Sequence, residues 1–268
     1  MKIEHPIKLI AIDLDGTLLD SAKRVCPKAA ESLIGVRRRG VKVVIASARP
    51  PRSVRPFYQC LELDTWQINY NGALIWDEPG RRAVRHTPMQ GARVLELALA
   101  ARSRFPQVLI TCEILDRWYT DREDQTYTTQ TGRLFKPDVI APLEEFCNQP
   151  ITKFMLLGSV EVMRALKPMV DADPAVAAFH SDADLIEVVH CRVNKGVALA
   201  ELSTHYGISM ENVMAIGDAA NDIPMLQAAG VGVAMDNARA EVKAAADWVA
   251  PSNEDHGVHA ALERFGMI

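Results

Sequence analysis

The sequence has no paired cysteine motif, no long apolar run and no marked excess of charge. Its five cysteines, at 26, 60, 112, 147 and 191, are scattered and odd in number. Without a C-x-x-C pair they argue against a disulfide frame or a zinc site, and for reduced thiols in a cytoplasmic protein. No apolar stretch is long enough to span a bilayer, and the opening MKIEHPIKLIAID runs from a short apolar segment into acids, unlike a secretory leader. A net charge of -4 offers neither a basic surface for nucleic acid nor a membrane patch. The patterns G-x-x-x-x-G-K-[ST] and G-x-G-x-x-G are both missing, which excludes a nucleotide P-loop and a dinucleotide fingerprint. Internal repeats and low-complexity tracts are absent too.

What is present is an α/β alternation. At 268 residues and 49% hydrophobic, the chain can build a sizeable core in one large or two modest domains. Short β-branched runs alternate with amphipathic stretches. Strands are expected at 7–12, 41–46, 66–72, 213–218, 231–235 and 247–250. Helices are expected at 27–39, where proline suits the first turn, and at 195–207, stopped by glycine. A further helix is expected from Asn221. The middle has a different texture, with helices in GARVLELALAARSRF and EVMRALKPMV among strands such as VLITCEI, RWYTD, ITKFMLLG and DLIEVV. It reads as an α+β domain over 83–189, inserted into a core formed by 1–82 and 190–268, and it falls within the usual size range of a domain.

Several of the core strands end in groups that can do chemistry. Asp13 and Asp15 follow the first strand, Ser47 the second, Asn69 and Asn71 the third, and Asp218 ends VMAIGD. Lys195 opens one helix, and Asn221 and Asp222 open another. Ligands of open α/β sheets bind outside the carboxyl ends of the strands, so a parallel sheet would gather these groups in one crevice. Carboxylates with no histidine or cysteine suit a hard cation such as Mg²⁺. A lysine, a hydroxyl and helix N-termini suit a phosphate. A calcium loop starting at Asp13 is disfavoured, because its sixth and twelfth positions are Leu18 and Arg24 rather than glycine and glutamate. Taken singly, each group has a plainer reading: a turn aspartate, a solvated lysine, a serine helix cap. Their agreement at separate strand ends favours a site.

These residues resemble a known family. DLDGTLL is similar to the first motif of the haloacid dehalogenase superfamily of aspartate-dependent phosphotransferases. Ser47 in VVIASARP resembles the second motif, Lys195 in VNKG the third, and GDAANDIPML the fourth. NGALI and the place of the insert resemble the Cof-type branch, class IIB with a type 2 cap. The sequence departs from that branch at ASARP, where Thr-Gly-Arg is common. The resemblance implies a Rossmann-like parallel-sheet core with an inserted α+β cap domain, and a Mg²⁺-dependent phosphatase of small phosphorylated metabolites such as sugar or flavin-pathway phosphates. It implies Asp13 as nucleophile and Asp15 as general acid and base. It gives Mg²⁺ to Asp13, Asp218 and the Asp15 backbone carbonyl, and phosphate to Ser47, Lys195, Asn221 and Gly16. Asp222 would position Lys195 and support the metal shell, and Asn221 would contact the phosphate or orient Asp13. Arg49 would reach substrate or bind a nearby carboxylate. Arg117 and His180 stand as cap residues toward substrate, with Tyr119 and Asp182 as further candidates. A sugar phosphomutase and a non-catalytic phospholigand sensor remain alternatives. The physiological substrate and the oligomeric state are not legible in the sequence.

Overall fold

A computed structural model describes residues 5–124, 126–127 and 129–268. In chain order the strands are β1 (Leu9–Ile12), β2 (Lys42–Ile45), β3 (Gln67–Asn69), β4 (Leu74–Asp77), β5 (Arg82–His86), β6 (Leu109–Ile114) and β7 (Arg117–Thr120). They continue with β8 (Val139–Ile140), β9 (Lys153–Leu157), β10 (Val176–Asp182), β11 (Leu185–His190), β12 (Val213–Gly217), β13 (Val231–Met235) and β14 (Trp248–Ala250). The chain divides into two compact units, Met1–Val84 with Asn194–Ile268, and Arg85–Val193. The sequence reading set these boundaries at 82/83 and 189/190.

The first unit is built on a parallel sheet in the order β14-β13-β12-β1-β2. β1, β2, β12 and β13 are short runs of β-branched and small apolar residues. Each buries both faces, as central parallel strands do. Alternate residues point to opposite sides. Ile10, Ile12, Val43, Ile45, Met214 and Ile216 join a cluster with the helices Pro27–Arg38 and Gly257–Arg264. Leu9, Ala11, Val44, Val213 and Ala215 join another with the helix Lys195–His205. β3 extends the β2 edge through a parallel bridge from Ala46 to Ile68 and pairs with β4 antiparallel.

Two elements differ from the sequence reading. The strand expected over 66–72 stops at Asn69, and the chain then turns through Tyr70 and Asn71 at φ 50 and 59. Asparagine tolerates this left-handed conformation, and the turn carries the Asn71 N–H to the Ser47 carbonyl at 3.1 Å. The helix expected from Asn221 begins as a tight 3₁₀ turn, Ala220–Asp222, and becomes α-helical over Ile223–Ala228. There Asp222 turns its carboxylate back to accept from the backbone N–H groups of Asp218 and Ala219 at 3.0 and 2.9 Å, so its side chain closes the turn.

The second unit holds a six-stranded sheet in the order β10-β11-β9-β6-β7-β8, antiparallel except for β7 with β8. One face packs on the helices Gly91–Arg104 and Val160–Asp171, through Ile110, Cys112, Phe154, Leu156, Ile186 and Val188. The opposite face carries a smaller cluster of Leu109, Met155, Leu157 and Leu185. No helix among the described residues is long and apolar enough to cross a membrane.

Phe154, fully buried in the central strand β9, sits at the middle of the helix-covered cluster. Phe154→Ala is expected to destabilise the protein by about 3–5 kcal/mol, the usual cost of emptying an aromatic core site. Urea denaturation followed by circular dichroism measures it, and a loss under ~1 kcal/mol would contradict this packing.

Candidate active site

Parallel pairing of β1 with β12 sets the loop after Ile12 beside the loop after Gly217. The two loops bring Asp13 and Asp218 together. Asp222 completes a cluster in which one carboxylate oxygen from each of the three lies within 4.8 Å of the others. Lys195 enters the same cluster from the first turn of its helix. Asn194 caps that helix by accepting from the Val197 N–H at 2.8 Å. The next residue, Gly196, lets the helix approach closely, since a Cβ there would run into the Pro224 carbonyl.

The Lys195 ammonium is completely buried and donates to Asp13 Oδ1 and Asp222 Oδ1, each at 2.6 Å. Burial opposes its charge, but the Asp13 and Asp222 carboxylates outweigh burial and raise its pKa. Burial pushes Asp13 well above the usual carboxylate range against the pull of Lys195, and Asp222 and Asp218 add to the push. Asp218 is raised to about 6, chiefly by burial, with the Thr17 hydrogen bond opposing. Three carboxylates therefore face one ammonium, an excess of two negative charges if all are ionised.

That donor set fits Mg²⁺. It is made of oxygens only, as a small hard cation requires, and its charge excess matches a divalent ion. Asp222 already has both oxygens in use, one on Lys195 and one on the two backbone N–H groups. Asp13 and Asp218 are therefore the side chains with capacity for the ion.

Asp15 lies apart from the cluster. Arg49 grips it with two bonds, Nε to Oδ2 at 2.7 Å and Nη2 to Oδ1 at 2.6 Å, and Lys23 donates to Oδ1 at 2.7 Å. Burial alone would raise the Asp15 carboxyl. The bonds from Arg49 and Lys23 prevail and hold it below the ordinary value. Of the two roles open to Arg49 in the sequence, the structure shows the carboxylate contact. Ser47 is buried at the end of β2, and its hydroxyl oxygen accepts from the Arg49 N–H at 3.2 Å. Asn221 donates to the Asn71 side-chain oxygen at 2.8 Å.

Gly16 adopts φ +83, and a Cβ on it would collide with the Asp218 carboxylate. Conformation and space both call for glycine there. Thr17 is buried and donates its hydroxyl to Asp218 Oδ1 at 2.7 Å. Thr17, Lys23 and Asn237 are contacts the sequence reading missed. The only signal was local: a hydroxyl next to Gly16, a lysine in the next turn, and an asparagine after an apolar strand.

In the second unit Arg117 is exposed over the ring of Tyr119, 5.5 Å from its centre. Tyr119 packs against Phe146 on the helix-covered face, and Arg117 alternates onto that same face. His180 is exposed beside a register shift in β10, and Asp182 ends that strand. On the opposite face, among the described residues, Glu113, Lys153 and Glu187 carry charge. All three are buried, and Lys153 donates to Glu187 Oε1 at 2.5 Å.

The profile of the family described as haloacid dehalogenase-like hydrolase matches residues 10–262. A 5-amino-6-(5-phospho-D-ribitylamino)uracil phosphatase of Bacillus subtilis is 29% identical over 265 residues, spanning 96% of this chain and 97% of its own. A pyridoxal phosphate phosphatase of Escherichia coli is 31% identical over 264 residues, spanning 92% of this chain and 94% of its own. Among solved structures, a haloacid dehalogenase-like hydrolase from Bacteroides thetaiotaomicron superposes with a TM-score of 0.86 at 28% identity, covering 96% of this chain and 99% of that one.

Gly16→Ala should cost at least about 1 kcal/mol of stability, from the left-handed backbone and the crowded carboxylate together. The urea midpoint reads this directly, and a variant as stable as the parent would mean that Asp218 does not press on residue 16.

Proposed function

Because this chain belongs to the haloacid dehalogenase-like hydrolases, we propose that it hydrolyses phosphate monoesters of small metabolites, with Asp13 as nucleophile and Mg²⁺ as cofactor. The observation that carries the reading is the buried Lys195 ammonium, shared at 2.6 Å between Asp13 and Asp222 beside Asp218. A fully buried lysine among three carboxylates is costly unless the site does chemistry with charge.

In this reading a carboxylate oxygen of Asp13 attacks phosphorus, and the bond from phosphorus to the ester oxygen breaks. Asp15 gives its proton to the departing alcohol. The aspartyl-phosphate is then attacked by water, whose proton Asp15 takes, and phosphate leaves with Asp13 restored. This splits one difficult displacement into two. Lys195 stabilises charge on the transferring oxygens. Ser47 accepts from Arg49, so its hydroxyl proton is the part that can donate to phosphate. Asn221 has a second N–H beyond the one given to Asn71. Asp13, Asp218 and the Asp15 backbone carbonyl would hold Mg²⁺. When bound, the ion supplies positive charge against the repulsion between carboxylate and phosphate.

The two relatives are named for a phosphoribityl-substituted uracil and for pyridoxal phosphate. We carry over the class alone: small phosphorylated metabolites, with sugar and cofactor-pathway phosphates first in the assay. Selection among them is assigned to the second unit. There Arg117 and His180 remain the residues to vary, and the buried Lys153–Glu187 pair joins them.

Asp13→Asn should keep the fold and lose steady-state phosphate release, since an amide cannot form the acyl phosphate. Sustained release by the purified variant would end the mechanism, whereas isomerised product without net phosphate from the parent enzyme would indicate a mutase instead.

Exhaustive chelation should abolish turnover of the parent enzyme and added Mg²⁺ should restore it. Full activity after chelation would remove the metal from the scheme.

A further inference from the structure

Beyond the phosphoryl chemistry, two asparagines tie the strand-end loops of the first unit together. Asn237 follows β13. Its side-chain N–H group donates to the Gly16 carbonyl at 2.8 Å and reaches Asp218 Oδ2 at 3.5 Å, a long contact. Its side-chain oxygen accepts from the Asn253 backbone N–H at 3.2 Å, and the Asn253 amide donates to the Leu19 carbonyl at 2.8 Å. β1, β12, β13 and β14 are parallel neighbours in that order, so the loops that follow them share one edge of the sheet. From the loop after β13, the Asn237 side chain reaches past Asp218 to the loop after β1.

We propose that Asn237 is a positioning residue for the carboxylate cluster. It holds the turn at Gly16 against Asp218 and so sets the spacing at which Asp13 and Asp218 can share a small divalent cation. Thr17 donates to Asp218 Oδ1, and Asn237 is the donor on the Oδ2 side. Gly16 has no side chain to pin its peptide, and the Asn237 bond to its carbonyl supplies the restraint. Partners of this kind orient the residues that ligate a metal. Loosening them should hurt Mg²⁺ more than Ca²⁺, because Mg²⁺ demands near-ideal octahedral geometry and Ca²⁺ accepts irregular sites.

The inference rests on reading Asp13 and Asp218 as the cation site, and its test uses the metals alone. Mg²⁺ and Ca²⁺ are titrated calorimetrically into metal-free parent protein, Asn237→Ala and Asn253→Ala, without substrate. For Asn237→Ala, Mg²⁺ affinity is expected to fall by about tenfold or more, and the ratio of Mg²⁺ to Ca²⁺ affinity by at least roughly threefold. General destabilisation would scale both affinities alike and leave the ratio in place, so the ratio separates positioning from mere structural support. Asn253→Ala removes the bond to Leu19 and keeps the Asn237 amide on Gly16, so its ratio should stay within roughly twofold of the parent. An unchanged ratio in Asn237→Ala overturns the inference while leaving the cation site intact. An equal shift in Asn253→Ala overturns it as well, by moving the effect to the loop tie. A parent protein that takes up no Mg²⁺ overturns both the inference and the cation reading beneath it.

Discussion

The site depends on one buried ammonium. Lys195 is removed from water entirely, and only the two carboxylates at 2.6 Å offset the loss of its hydration. Desolvating an ion costs several kcal/mol, and removal of one partner from such a group is typically destabilising by about 3–5 kcal/mol. The triad therefore holds three separate parts of the chain in register: the end of β1, the first turn of the 195–205 helix and the 220–222 turn. Asp222 adds to this by closing its own turn with its other oxygen. A residue that acts through Lys195 thus also shapes the loop that presents Asp218.

A second constraint acts on Asp13 and Asp15, two residues apart and in opposite surroundings. Asp13 is pushed up by burial among other acids, and Asp15 is held down by Arg49 and Lys23. Environments that split the pKa values of neighbouring carboxylates commonly assign different roles to them. The order here is the reverse of what the roles proposed for Asp13 and Asp15 require. Two events on substrate binding would restore it: positive charge arriving beside Asp13, and an anion drawing Arg49 and Lys23 away from Asp15. Both cations are donors that a phosphate could also use.

Much of this was legible in the sequence, for a definite reason. Central parallel strands must be apolar on both faces, so a carboxylate at the end of such a run stands out, as Asp13 and Asp218 do. Lys195 and Asp222 could be named through the resemblance, but not their shared burial, which depends on how a helix packs across the sheet. The pairing of Asp15 with Arg49 and Lys23 was open for the same reason. The expected strand over 66–72 took in Asn71, which instead sits in a left-handed turn with its N–H on the Ser47 carbonyl. Arg117, a candidate substrate contact by residue type, lies with Tyr119 on the helix-covered face by the alternation of β7. The partners of Thr17 and Asn237 lie 201 and 221 residues away, so the local pattern around each did not reveal the contact.

The second unit poses the complementary problem. Its helix-covered face is an ordinary aliphatic and aromatic core, sufficient for its stability. Its other face buries Glu113, Lys153 and Glu187 on three adjacent strands, β6, β9 and β11. A buried ion pair of this kind is seldom more stabilising than well-packed apolar residues of similar volume. Packing therefore does not explain why two glutamates and a lysine occupy positions beside Met155 and Leu157. The Lys153–Glu187 bond joins β9 to β11 in a buried setting, so removing one partner would leave an uncompensated charge in that face.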